Sequence, residues 1–141
     1  MNRRTLLKAI SLSWLLPLSS LAKMPDDEVK VLFPVTFRDR KRWKKVFLRI
    51  RSAINLWGAK AKIEVVAYDE GIFLLDRFES GEFEERISNL MIYGIEFKAC
   101  QVAMNIFGVE REALYQGVEV IKSGFEYHIL KVKEGYIPIY I

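Results

Sequence analysis

The feature that most constrains this chain is a regular alternation between short β-branched apolar runs and longer segments in which apolar residues recur every three or four positions. Val29-Lys30-Val31-Leu32-Phe33-Pro34-Val35-Thr36-Phe37 has the composition of a first buried strand, with Pro34 near its end or at a bulge. It is followed by Trp43, Val46, Phe47, Ile50, Ala53, Ile54 and Trp57, whose spacing predicts an amphipathic helix ending near Gly58. Ile63–Tyr68 reads as the second strand. Asp69-Glu70-Gly71 then forms a loop that opens a short helix over Ile72–Phe78. Ser80 is placed to cap the next helix, with Glu82, Glu84 and Glu85 in its first turn, Phe83, Ile87, Leu90 and Met91 on its buried face, and Gly94 after its end. Ile95–Ala99 is a third strand, Gln101–Phe107 a helix stopped by Gly108, and Glu110–Gln116 a further helical turn ending at Gly117. Val118–Ile121, Phe125–Glu134 and Tyr136–Ile141 complete the series as strand, helix and strand.

Strands alternating with helices require right-handed crossovers, and these place parallel strands in one sheet with helices on both faces. The expectation is therefore an α/β fold on a mostly parallel five-stranded sheet. A chain of 141 residues with 51% apolar content suits one such domain. The first 22 residues are set apart from it. They are basic at the front, apolar over Ala9–Leu21 and small at the end, with no Asp or Glu. Asn2-Arg3-Arg4-Thr5-Leu6-Leu7-Lys8 resembles a twin-arginine export motif, and Ser20 and Ala22 fit a cleavage site after Ala22. The division expected is an export signal over 1–22 and a domain over 23–141, periplasmic in location, meeting a membrane only transiently through the signal. Without Arg3, Arg4 and Lys8 the formal charge falls from +4 to +1, so the basic balance belongs largely to the signal and gives little support for nucleic acid.

In open parallel sheets, chemistry collects at the carboxyl ends of the strands. That rule selects Thr36 and Arg38, Asp69 and Glu70, Cys100, and Ser123 with Gly124. Cys100, the only cysteine, has no disulfide or resolving partner within the chain. It ends a strand and begins a helix whose free N–H groups and dipole favour a thiolate, so an accessible, reactive thiol is the functional expectation and a small buried hydrophobe the bland one. Arg38 is a source of positive charge for such a thiolate or simply a solvated arginine. The cluster Arg38, Arg40, Lys41, Arg42, Lys44, Lys45, Arg49 and Arg51 reads as the wet face of one helix. Asp69 and Glu70 suit helix capping more than acid/base work. His128, the only histidine, is expected inside the last helix, away from the strand ends. No zinc site, Ser-His-Asp triad or glycine-rich phosphate loop is indicated, so no cofactor or metal is expected.

Gly94-Ile95-Glu96-Phe97-Lys98-Ala99-Cys100 with Met104, Val65-Val66-Ala67-Tyr68-Asp69-Glu70-Gly71, Gly117-Val118-Glu119-Val120-Ile121-Lys122-Ser123-Gly124 and Glu134-Gly135-Tyr136 resemble, in order and spacing, segments of the DsrE/DsrF-like family. The resemblance implies a three-layer α/β/α fold and homo-oligomers, often trimers or hexamers. In its sulfur-relay members it implies a cysteine at the position of Cys100 that carries sulfane sulfur as a persulfide between a donor and an acceptor, a sulfurtransferase-like role. Where relatives commonly read Cys-Gly-Asn-Thr-Met, this chain reads Cys100-Gln101-Val102-Ala103-Met104. The alternative is a non-catalytic oligomeric binding module with an inert thiol. A third class, a thiol peroxidase or oxidoreductase, lacks a resolving cysteine.

Overall fold

The computed structural model describes residues 28–141. The segment read as an export signal lies outside them. Five strands, β1 (Val29–Val35), β2 (Ala61–Ala67), β3 (Glu96–Cys100), β4 (Glu119–Ile121) and β5 (Ile137–Pro138), form one sheet in the order β4-β3-β2-β1-β5, with every neighbouring pair parallel. Helix α1 (Arg40–Trp57) links β1 to β2. A compact run of helical turns ending in α2 (Arg77–Ser80) and α3 (Glu84–Tyr93) links β2 to β3; α4 (Gln101–Phe107) follows β3, and α5 (Gly124–Lys133) crosses from β4 at one edge to β5 at the other. The three-layer α/β/α architecture is as the alternating pattern predicts. No described helix is long and apolar enough to cross a membrane.

One face of the sheet carries most of the core. Val31, Phe33 and Val35 alternate along β1 with Ile63, Val65 and Ala67 on β2, and Phe97 and Ala99 on β3, and pack under Trp43, Val46, Phe47, Ile50 and Ala53 of α1. The spacing that predicts the helix also selects the side chains it buries. Each large side chain removed from water here contributes about 1.5–3 kcal/mol before entropy is counted. Asp39 starts α1 by accepting hydrogen bonds from the Lys41 and Arg42 amides, and Gly58, at φ 53°, ends it. The other face is thinner, a small cluster of Leu32, Val66 and Tyr136 with Tyr68, Ile121 and Tyr127 partly buried against it.

Three local expectations are corrected. Residues Asp69–Leu75 form 3-10 turns, and the α-helix after them is only Arg77–Ser80. This segment lies tight against the end of β1: a Cβ on Gly71 would lie 1.8 Å from the Val35 carbonyl oxygen. Ser80 caps nothing. It is buried, its hydroxyl 2.6 Å from the Leu74 carbonyl and 2.8 Å from the Tyr115 hydroxyl, and no side chain caps α3. The last strand pairs over Ile137–Pro138 only, followed by the Ile139 amide donating to the Leu32 carbonyl at 2.8 Å, and Pro138 stands on this edge strand, where its missing N–H costs no bond to β1.

Candidate functional site

Register places the strand ends side by side. Val35 pairs with Ala67, Ala67 with Ala99, and Cys100 with Ile121, so Cys100 and the residues that follow the other strands, Thr36, Asp69 and Ser123, lie at one end of the sheet. Cys100 is the last residue of β3 and the N-cap of α4. Its Sγ accepts a hydrogen bond from the Ala103 amide at 3.4 Å. The helix start thus presents one of its unpaired N–H groups to sulfur, as the sequence implies. The expected accessibility is not seen: Cys100 is 3% exposed and belongs to the main core cluster. Val102 and Ile106, exposed on α4, and buried Ala103 and Met104 make the helix after it largely apolar.

The other predicted residues divide by role. Ser123 caps α5, its Oγ accepting from the Glu126 amide at 3.3 Å. Gly124 is buried because Tyr68 lies against it, and a Cβ there would sit 2.3 Å from the Tyr68 Cβ. Thr36 is half-buried beside this end of β1. Arg38 is turned to other work. Its Nε donates to Glu79 at 2.8 Å and its guanidinium stacks 3.9 Å over the Phe73 ring. The hydrogen bond to Glu79 raises Arg38 further and holds the Glu79 carboxyl below its ordinary range. Asp69 and Glu70 are exposed in the first turn of the segment over 69–75, where no side chain makes a capping hydrogen bond. Asp69 adopts φ 49°, the left-handed region that Asp tolerates better than most residues, and this turns the chain sharply at the strand end.

His128 is not remote from the strand ends, contrary to the sequence reading. Its Nδ1 lies 3.0 Å from the Tyr68 hydroxyl, immediately after β2, and its Nε2 lies 2.8 Å from the Tyr140 hydroxyl. Burial holds this imidazole below its ordinary range. Tyr68 has the extended backbone of a strand residue, and burial raises its phenol, assisted by the charge of Asp69. Tyr68 was open to detection as the residue between a strand and a candidate carboxylate. The phase of α5 that brings His128 to it had no local signal.

The face under α5 also holds ionic groups that sequence reading left unassigned. Glu64, 1% exposed, accepts hydrogen bonds from Tyr127 and from Lys131 Nζ at 3.2 Å. Burial works against its charge, but the hydrogen bonds from Tyr127, Tyr136 and Lys131 outweigh it and hold the carboxyl below its usual range. Lys98, 5% exposed, is paired with Glu119 and with Glu96 at 3.4 Å. It borders a cleft of about 540 Å³ lined also by Met91, Gly117 and Glu119. A second cleft of about 390 Å³ lies beside Gln101, Asn105 and Glu110. Cys100 lines neither. Among the described residues no group of three His, Cys, Asp or Glu side chains is placed to hold a metal ion.

The profile of the DsrE/DsrF-like family matches residues 30–139. A solved structure of a protein of unknown function from Methanobacterium thermoautotrophicum superimposes with a TM-score of 0.75 at 27% identity, covering 81% of this chain and 100% of that one. No curated protein matches the chain.

Proposed function

The chain belongs to the DsrE/DsrF-like family, and from that premise we propose that it is a sulfur-carrier protein holding sulfane sulfur as a persulfide on Cys100. The observation that carries the reading is the place of the thiol. It ends a central strand at the sheet end where parallel folds keep their chemistry, with Sγ already accepting a helix-start N–H. The cycle balances with one cysteine. The Cys100 thiolate attacks the outer sulfur of a donor persulfide, the donor S–S bond breaks and the donor leaves as thiolate. An acceptor thiolate then attacks that same outer sulfur and releases Cys100 as thiolate. The amide of Ala103 suits the Sγ thiolate that opens the cycle and is released at its end.

A second reading is favoured by one observation, the 3% exposure of Cys100. In it the chain is a non-catalytic oligomeric module whose thiol packs the core. Incubating the purified protein with glutathione persulfide and reading its intact mass separates the two. Gain of one sulfur atom per chain, lost in Cys100→Ser, supports the carrier; an unchanged mass supports the module.

Two companions of this reading are also proposals. The segment over 1–22 exports the folded domain to the periplasm through its paired arginines. The domain assembles as a homotrimer or homohexamer, for which the support is the apolar surface of α5, where Phe125, Ile129 and Leu130 are 64%, 46% and 48% exposed. A monomer mass by light scattering contradicts the assembly.

A further inference from the structure

A carrier thiol must meet its donor, yet Cys100 is covered, and the residue placed to cover it is identifiable. β2 and β3 pair with Ala67 opposite Ala99, so the next residues, Tyr68 and Cys100, are neighbours on adjacent strands, where backbones lie about 4.8 Å apart. Both are extended, at φ −142°, ψ 177° and φ −77°, ψ 119°. Cys100 pairs with Ile121, which packs with Tyr68 in the smaller cluster, so pleat alternation brings Tyr68 and Cys100 to the α5 side of the strand ends, while Cys100 also keeps its place among the side chains of the main core. Gly124 admits the Tyr68 ring at the start of α5, and one turn further on the His128 Nδ1 lies 3.0 Å from its hydroxyl. On its far side the same imidazole meets Tyr140, 67% exposed, at 2.8 Å. A neutral imidazole has one N–H and one bare nitrogen, so one phenol donates and the other accepts, and the line is satisfied throughout.

We propose that His128 is a positioning residue that holds Tyr68 over Cys100 through this hydrogen-bonded line, and thereby sets how readily the thiol meets a reaction partner. The proposal deepens the sulfur-carrier reading and rests on it for its biological use. Moving Tyr68 aside costs the bond to His128, so the covered state is favoured while the bond exists, and removing the bond raises the population of the uncovered state. The lack of a side chain at Gly124 serves the same end by leaving the room in which Tyr68 lies.

The test is the rate at which iodoacetamide alkylates Cys100 in the folded protein. Tyr68→Phe keeps the ring and deletes the bond; His128→Phe keeps the bulk and deletes it from the other side. Each is expected to react about fivefold faster than wild type, the effect of losing one ordinary hydrogen bond. The double variant is expected to react no faster than either single one, because all three lack the same bond. His128→Asn, which retains a polar group near the position of Nδ1, is expected to restore a rate close to wild type. Wild-type rates in folded Tyr68→Phe and His128→Phe, or a double variant whose effect is the product of the singles, overturns the proposal. If His128→Phe does not fold, Tyr68→Phe and His128→Asn decide it alone. Alkylation needs no sulfur donor, so the two readings fail separately. A protein that takes up no sulfur but shows the predicted rates loses only the carrier role, and one that loads sulfur with unchanged rates loses only the positioning role.

Discussion

Gly124 lies so close to Tyr68 that a Cβ built on it would sit 2.3 Å from the Tyr68 Cβ. The start of α5 is therefore fitted to the residue that ends β2, and the glycine is required by contact rather than by backbone conformation.

Gly124→Ala is expected to destabilise the domain by about 2 kcal/mol, the usual cost of forcing a methyl group into a packed site. Gly81→Ala is the control. No atom lies within 4 Å of a Cβ there, its φ of −51° suits any residue, and the change should be neutral or stabilising by up to about 1 kcal/mol. Urea midpoints of the two variants check the contrast; equal midpoints contradict the packing described at Tyr68.

Glu64 gives a pH prediction of definite sign. Its folded-state pKa is depressed below 4.5, so its contribution is present above the unfolded value and is lost as pH falls through the folded one. Glu64→Gln is expected to be less stable than wild type by about 1–3 kcal/mol near neutrality, since a buried partner of Lys131 and Tyr127 loses its charge. The gap should narrow steadily as the pH is lowered below 4.5. Denaturant titrations from pH 7 to pH 3 measure it, and a gap that is constant or widens toward acid contradicts the assignment.

Export gives a prediction that does not depend on the described domain. Replacing Arg3 and Arg4 together with lysine is expected to leave the protein in the cytoplasm as the longer, uncleaved species. Fractionation and intact mass check it, and normal export of the double variant removes the twin-arginine reading.

The elements legible in the sequence are those whose signals are local. The apolar spacing from Trp43 to Ala53, the β-branched runs of β1 and β2, and the glycines at 58, 94 and 108 that end helices with positive φ were all readable in order. So was the placement of Cys100 at a strand–helix junction. What was not readable depends on contacts between distant segments. Ser80 has the composition of a cap, but Tyr115, thirty-five residues later, claims its hydroxyl. Glu64 and Lys98 have the appearance of solvent-facing strand residues, yet α5 supplies Tyr127 and Lys131 to bury the first, and Glu119 of β4 pairs the second. His128 joins Tyr68 only because α5 crosses the sheet in one particular rotational phase, which nothing within the helix itself specifies.

The carrier account is tested most directly by loading native protein and chemically unfolded protein with equimolar glutathione persulfide and locating the added sulfur by peptide mass. The account predicts one sulfur atom per chain on Cys100 of the native protein, taken up without unfolding and passed to an added acceptor thiol. Sulfur that enters only the unfolded chain contradicts it and leaves Cys100 a core residue.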